Sequence, residues 1–169
     1  THSFYVIEKK TPIFNCFLDI DFIDNETVPI IEVTQYIQQV IKFFYESEFK
    51  CIICTADNKI IIKQNQDYIK QGFHLHWPGL YVDITTAKKI RLSIVTKLQT
   101  IYGKRESCYN TWNDIIDECV LDKNGLRLCG SSKGHFREGK FIDEKRPYFP
   151  SYVMGISGEL DTVELEKLR

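Results

Sequence analysis

The sequence predicts a single α+β domain, and three observations support this class. The 169 residues suffice for one sizeable core, and 43% of them are apolar, as expected of a folded protein. Apolar residues recur at helical spacing in two segments, 33–44 and 87–102. Short runs rich in β-branched and aromatic residues lie around these segments and are typical of strands. Strands interleaved with two helices indicate an α+β domain, with α/β as the alternative.

The first half of the chain begins with predicted strands. Residues 4–7 and 14–22 are runs of apolar residues interrupted by polar ones, as strands often are. An amphipathic helix is predicted at 33–44, because its apolar residues fall on one face. A further strand is predicted at 49–55, and the polar residues 57–59 predict a turn after it.

The middle of the chain predicts one more strand and the second helix. The strand covers 68–77 and is expected to end at Pro78-Gly79, because proline cannot donate a ladder hydrogen bond. The helix covers 87–102, and the hydroxyls of Thr85 and Thr86 are candidate N-terminal caps.

The last third has weaker patterns. Residues 112–121 fit a helix start followed by a strand, while 126–129 and 152–155 are predicted short strands. We expect a core domain at 1–155 and a linker-like tail at 156–169.

Charge and hydropathy narrow the class of protein. The net charge is −1, so any contact with nucleic acid needs a local basic patch or further domains. The apolar runs are far too short to span a membrane, and no signal-peptide pattern opens the chain. Because the chain starts at Thr1 rather than at methionine, we expect it to be a fragment of a larger protein.

The cysteines suggest burial more than metal binding. Cys51 and Cys54 have the CxxC spacing of half a zinc site, but Cys108, Cys119 and Cys129 are too widely spaced to form a matching second pair. The strand around the CxxC pair favours cysteine as a small buried hydrophobe. Because the sequence shows no sign of secretion, the thiols are expected to be reduced and intracellular.

Two carboxylates are predicted to share one face of the strand 14–22. Asp19 and Asp21 lie two positions apart, so they point the same way while their apolar neighbours face the core. Paired carboxylates repel each other unless a cation lies between them, and oxygen ligands suit Mg²⁺ or Mn²⁺. The alternative is a solvated strand face without a ligand.

A second chemical pattern lies on the strand 68–77. Lys70, Gly72, His74 and His76 share one face of it. A lysine and two imidazoles favour a phosphate or a metal, and glycine permits close approach. A lone buried histidine would be the ordinary alternative.

A third pattern combines an acid with cations. Asp117 precedes Arg127, and the turn 130–132 is followed by Lys133. Small residues in such a turn, among them Ser132, can expose backbone N–H groups to an anion. Phosphoryl transfer to a nucleotide needs several carboxylates for divalent ions and cations for the triphosphate. The three patterns together supply both.

In this order the three patterns resemble the archaeo-eukaryotic primase superfamily, over residues 14–133. They look closest to the primase domain at the N-terminus of primase-helicases of poxviruses, African swine fever virus and related large DNA viruses. The segment 17–22 matches the DxD motif, Gly72-Phe73-His74 the sxH motif and Ile116-Asp117 the third acidic motif. Gly72 departs from the family by replacing the serine of sxH.

The resemblance implies a fold, an activity and partners. The fold would be a two-lobed core with an RRM-like sheet carrying the active-site carboxylates. The activity would be a DNA-templated primase/polymerase with single-stranded DNA as template and NTPs or dNTPs as substrates. A helicase domain in the full-length chain and a location in the host cytoplasm, at the site of viral replication, are also implied.

The resemblance further assigns roles to individual residues. It implies that Asp19, Asp21 and Asp117 hold the catalytic Mg²⁺ or Mn²⁺ ions. The residues placed on the incoming nucleotide are Lys70, His74, Arg127, Ser132 and Lys133.

Other functions stay open at this level. A replication-initiation endonuclease would use His74-Leu75-His76 as a His-hydrophobe-His metal motif, with Tyr102 or Tyr109 as nucleophile. A non-catalytic nucleic-acid-binding module would need no carboxylate cluster. A glycosyltransferase could use Asp19 and Asp21 but would leave His74 without a role.

Overall fold

The structure of the chain is a computed structural model. It describes residues 11–47, 49–105, 110–122, 124–131, 133–143, 146–155 and 158–162. The predicted strand 4–7, the candidate nucleophile Tyr109 and the candidate nucleotide ligand Ser132 lie outside the described residues.

The described chain forms a mixed α and β domain around one antiparallel sheet. The sheet runs β1-β4-β2-β7-β8, with β3 also paired to β4, and β5 and β6 form a separate hairpin. The strands are β1 Ile13–Asp24, β2 Cys51–Thr55, β3 Lys59–Lys63, β4 Gln66–Asp83, β5 Gly134–Arg137, β6 Lys140–Asp143, β7 Phe149–Met154 and β8 Leu160–Thr162. The helices are α1 Ile30–Phe44, α2 Ile84–Tyr102, α3 Trp112–Ile115 and α4 Cys119–Asp122.

The two long helices lie where the sequence predicts them, although their starts differ. Helix α1 begins at Ile30, directly after Pro29, which is three residues earlier than the apolar pattern indicates. Helix α2 is capped by Asp83, whose side chain accepts a hydrogen bond from the Thr86 backbone N–H at 2.7 Å. The prediction of a threonine cap was wrong because a carboxylate three residues upstream takes that N–H.

The predicted end of a strand at Pro78-Gly79 was also wrong. Strand β4 continues to Asp83, and the pairing with β1 passes from Trp77 to Tyr81 across a bulge. Gly79 adopts a φ of +84° there, and its N–H is bound by the Asn15 side chain at 3.0 Å. Proline is tolerated because a bulge releases residues from the ladder.

Two short hairpins of the structure were not predicted from the sequence. Strand β3 begins at Lys59, inside the predicted turn, and returns into β4 through Gln64 and Asn65, both with positive φ. The hairpin of β5 and β6 was not predicted either. The predicted strand 126–129 was wrong, since this segment has only an isolated bridge residue.

The tail assignment stays a prediction, but part of it joins the sheet. Strand β8 lies within 156–169 and pairs with β7, the strand predicted at 152–155. The strands predicted at 14–22 and 49–55 are confirmed as β1 and β2. In the described part of the chain, no helix is long and apolar enough to cross a bilayer.

The core lies between the helices and one face of the sheet. Alternate residues of β1 and β4 bury their side chains there, and Trp77 donates a 2.5 Å hydrogen bond to Gln38 of α1. Gln38 in turn donates a 2.9 Å hydrogen bond to the Phe49 carbonyl, so both the oxygen and the nitrogen of its buried amide have a hydrogen-bond partner. The opposite face of β1 and β4 carries the polar residues of the candidate site.

Candidate active site

Pairing of β1 with β4 places the first two predicted motifs side by side. Asp19 pairs with His74, and Asp21 pairs with Gly72. Residues directly opposite each other in an antiparallel pair point to the same face, so both acids and His74 face outward from the core. Lys70 lies diagonally across from Asp21 and forms a 2.6 Å ion pair with it. The shared face inferred from the two-residue period is therefore present.

The third carboxylate reaches the same place through the backbone. Ile116 forms an isolated bridge with Ile20, and the Asp117 N–H donates to the Asp19 carbonyl at 3.1 Å. Asp19, Asp21 and Asp117 consequently line one cleft of about 540 Å³. The convergence of Asp117 with Asp19 and Asp21, from which it is far apart in sequence, is the arrangement that the motif hypothesis requires.

A buried arginine holds the segment that carries Asp117. Arg91 of α2 donates to the Ile116 carbonyl and to the Asn113 carbonyl, both at 2.7 Å. It also forms a 3.3 Å ion pair with Glu118. Because Arg91 is buried, these contacts fix both sides of Asp117 to the helix layer.

Two cations line the same cleft as the acids. Arg127 and Lys133 are both among its lining residues, while Lys70 is bound to Asp21. Arg127 Nη1 is buried and has no hydrogen-bond partner among the described residues. A buried guanidinium N–H is costly to leave unpaired, so this donor suits an anionic ligand.

The environment of Asp19 disfavours the ionised form of its carboxylate. Burial, and after it the charges of Asp21 and Asp117, raise the pKa of Asp19 from 3.8 to about 7 against the opposing charge of Arg127. Asp19 Oδ1 and Asp21 Oδ1 are buried and have no hydrogen-bond partner in the part of the chain described. Unpaired carboxylate oxygens that converge on one cleft fit a divalent cation of the Mg²⁺ or Mn²⁺ type.

His74 is a neutral imidazole in this setting. Its side chain is 1% exposed, and burial, together with His76 and Arg127, lowers its pKa to about 2. His74 Nε2 lies 3.4 Å from Asp19 Oδ1 without the alignment of a hydrogen bond. His74 can therefore donate or accept one hydrogen bond at the cleft, but it adds no positive charge.

Tyr148 is a site residue that sequence reasoning missed. Its ring stacks on His74 with centroids 3.7 Å apart, and the Arg127 guanidinium lies 5.1 Å from its ring centroid. A Cβ at position 72 would meet the Tyr148 hydroxyl too closely and lie 2.6 Å from Asp21 Oδ1. The Tyr148 hydroxyl and the Asp21 carboxylate thus occupy the space that a serine side chain at position 72 would need. No spacing pattern marks Tyr148 among the 22 aromatic residues.

The geometry gives little support to the endonuclease alternative. His74 Nε2 faces Asp19, whereas His76 Nε2 lies 3.9 Å from Cys129 Sγ, so the two imidazoles have different neighbours. Tyr102 donates a 2.8 Å hydrogen bond to Glu32 in the helix layer. Its hydroxyl is engaged away from the polar face of the sheet.

Comparison with known proteins shows which family the chain resembles. Residues 1–153 match the family model described as the C962R protein N-terminal AEP domain, where AEP denotes archaeo-eukaryotic primase. The chain is also 28% identical over 124 residues to "Putative helicase 121R" of Invertebrate iridescent virus 3. That alignment covers 68% of this chain but only 11% of the viral protein.

Proposed function

Because the chain belongs to the family of C962R N-terminal archaeo-eukaryotic primase domains, we propose that it is the catalytic core of a DNA-templated primase/polymerase. One observation supports this most strongly. Among the described residues, Asp19 Oδ1, Asp21 Oδ1 and Arg127 Nη1 are buried without a hydrogen-bond partner, and their side chains line one cleft together with Asp117. A nucleoside triphosphate with its divalent ions presents the complementary charges.

The three carboxylates would hold the divalent ions. When bound, Mg²⁺ or Mn²⁺ would neutralise phosphate charge and favour ionisation of the attacking 3′-hydroxyl. Asp19 and Asp21 offer their oxygens from the sheet, and Asp117 offers its own from the adjoining bridge. The peptide hydrogen bond between Asp117 and Asp19 keeps the third acid next to the first.

The cations and His74 would bind the incoming nucleotide. Arg127 donates to the triphosphate, and Lys133 adds charge at the rim, where it is exposed. Lys70 forms an ion pair with Asp21, so we propose that it orients that carboxylate. Its positive charge would also attract the phosphates of the nucleotide. Neutral His74 supplies one hydrogen bond from a water-poor position, and Ser132 stays a proposed ligand from the sequence.

The wider setting follows from the family. We propose the two-lobed primase architecture, with the sheet that carries Asp19 and Asp21 as its RRM-like lobe, and single-stranded DNA as the template. Since the chain spans 11% of the length of its iridescent virus relative, which is named as a helicase, we further propose an attached helicase domain. Such a protein would act at the viral replication site in the host cytoplasm.

Nucleotide incorporation tests the proposal directly. The chain is incubated with single-stranded DNA, Mg²⁺ or Mn²⁺ and labelled nucleotides, with and without a primer. Wild type is expected to extend the strand, whereas Asp19→Ala and Asp117→Ala are expected to yield no product. Asp67→Ala is the matched control, because Asp67 is an exposed acid at the far end of β4. Equal product from wild type and both cleft variants would refute the proposal.

Binding measurements separate the enzyme from a passive binding module. Asp19→Asn removes one negative charge from the cleft, so affinity for single-stranded DNA is expected to stay equal or rise while synthesis is lost. A wild-type chain that binds DNA but never incorporates nucleotides under any divalent ion would favour the binding module.

A further inference from the structure

A second group of metal-ligating side chains lies beside the cleft. Cys54 of β2, His76 of β4 and Cys129 each offer one ligand atom, and these atoms all lie within 4.8 Å of one another. The two sulfur atoms are 2.7 Å apart, and Cys129 Sγ lies 3.9 Å from His76 Nε2. None of the three belongs to the set proposed for nucleotide or Mg²⁺ binding.

The fold explains how distant cysteines meet a histidine. Cys54 pairs with His74, so it lies on the same sheet face and one diagonal step from His76. Cys129 comes from the segment that also carries Arg127, and this segment crosses over the two strands. The interpretation of Cys51 and Cys54 as half of a metal site fails, because residues three apart on a strand face opposite sides. The partner of Cys54 is Cys129.

We propose that Cys54, His76 and Cys129 bind a zinc-type divalent ion that fastens the Arg127 segment to the sheet. Two sulfur ligands and one imidazole form the donor set that zinc prefers, and they differ from the oxygen donors of the cleft. Cys54 is buried, His76 is half-buried and Cys129 is exposed, so the ion can enter from solvent. A water molecule would complete a four-coordinate site.

The sulfur spacing is compatible with a shared ion after a small adjustment. Two sulfurs bonded to one tetrahedral zinc at about 2.3 Å lie about 3.8 Å apart, while a disulfide bond is about 2.05 Å long. The observed 2.7 Å lies between these values. A disulfide would leave His76 without a role, whereas an ion uses all three side chains.

The ion would add a side-chain anchor to the segment that carries Arg127. Between Leu126 and Ser131 the main chain has an isolated bridge at Arg127, a hydrogen bond from the Gly130 N–H to the Tyr148 carbonyl at 2.7 Å and a local turn. Cys129 lies two residues after Arg127. Anchoring Cys129 to β2 and β4 therefore restricts where the guanidinium points over the cleft.

Metal content and cobalt spectroscopy test the site without relying on catalysis. The chain is purified under reducing conditions, its zinc is counted by elemental analysis, and Co²⁺ is substituted to report thiolate ligands by charge-transfer absorption. We expect one tightly bound ion per chain with cobalt–thiolate bands. Cys54→Ser and Cys129→Ser should each weaken binding by about tenfold or more.

Two control variants make the result specific. Cys51→Ala changes the other CxxC cysteine, which lies on the helix side of the sheet, and should retain the ion. Asp19→Ala should also retain it while losing nucleotide incorporation, so failure of the zinc site and failure of the polymerase proposal are distinguishable. Circular dichroism confirms that each variant is folded.

Three results would overturn the zinc site. The first is reduced wild-type protein that binds neither Zn²⁺ nor Co²⁺, a measurement that needs no variant. The second is unchanged binding after either Cys54→Ser or Cys129→Ser. The third is an intact mass showing a disulfide between these cysteines, with no metal taken up after reduction.

Discussion

Replacing Asp19 by asparagine is expected to stabilise the metal-free protein and to abolish catalysis. The folded environment raises the pKa of Asp19 from 3.8 to about 7, mainly through burial and then through Asp21 and Asp117. An acid whose pKa is raised by folding binds protons more tightly in the folded state. Its ionised form therefore lowers stability as the pH rises from the unfolded pKa to the folded one.

The change in the pKa of Asp19 sets the size of the expected gain in unfolding free energy. Each pKa unit corresponds to about 1.4 kcal/mol, so a shift of about three units sets a ceiling of about 4 kcal/mol above neutral pH. Only 19% of the Asp19 side chain is exposed, so solvent screening reduces this little. The asparagine amide has its own burial cost, and we therefore expect a gain of about 2–4 kcal/mol at about pH 8.

Urea unfolding in buffer without added Mg²⁺ or Mn²⁺ measures this difference. Wild type, Asp19→Asn and the exposed control Asp67→Asn are compared at about pH 8 and about pH 4. The Asp19 gain should shrink to well under ~1 kcal/mol at the lower pH, where the carboxyl is protonated in the folded state. The control should change stability by less than about 0.5 kcal/mol.

With divalent ions present, wild type should become more stable than Asp19→Asn. We expect Mg²⁺ or Mn²⁺ to bind the folded wild type and to raise its stability by about 1.4 kcal/mol for each tenfold excess over the dissociation constant. Asp19→Asn should respond much less. An Asp19→Asn protein that unfolds at lower urea than wild type at about pH 8, without metal, would refute the reasoning about the acid cluster.

Three further predictions concern residues around the cleft. Gly72→Ala should cost about 1–3 kcal/mol in urea unfolding and reduce incorporation, and Tyr148→Phe in the same chain should recover part of the loss if the hydroxyl is the obstacle. Arg91→Met should destabilise the fold by about 2–4 kcal/mol and lower kcat, because the carbonyls of Asn113 and Ile116, which precede Asp117, lose their donor; an unchanged kcat would contradict this. Tyr102→Phe should leave incorporation unchanged, whereas loss of DNA nicking by this variant would revive the endonuclease alternative.

The paired acids and His74 could be predicted from sequence because their geometry is local. A strand has a period of two, so Asp19 and Asp21 had to share a face once the strand was recognised. Apolar neighbours such as Ile20 identified the buried side. The strand identification itself rested on alternation between Phe14 and Phe22.

The rest of the site depends on contacts that are distant in sequence. Asp117 meets Asp19 through a single bridge, and no local pattern predicts which residues of β1 that segment will touch. Tyr148, which directly precedes β7, meets His74 through a contact of the same long-range kind. Cys129 could not be matched to Cys54, since spacing along the chain says nothing about a segment that crosses two strands.

Errors in the fold also have physical causes. Pro78 and Gly79 usually end a strand, but a bulge let β4 continue past them. The predicted strand 126–129 contains suitable residues, yet it gains no ladder partner beyond one bridge. Tertiary pairing decided both cases against local preference.

The outer edge of β1 has a consequence for the behaviour of the protein in concentrated solution. An exposed strand edge invites pairing with a strand from another molecule. Here the Asn110 side chain accepts a hydrogen bond from the Ile23 N–H and donates one to the Asp21 carbonyl. The Asp117 N–H donates a hydrogen bond to the Asp19 carbonyl. Three outward-pointing backbone groups of this edge are thereby occupied within one molecule. Asn110→Ala would leave the Ile23 N–H and the Asp21 carbonyl without this side-chain partner. We therefore expect the variant to self-associate through the edge of β1 more readily than wild type.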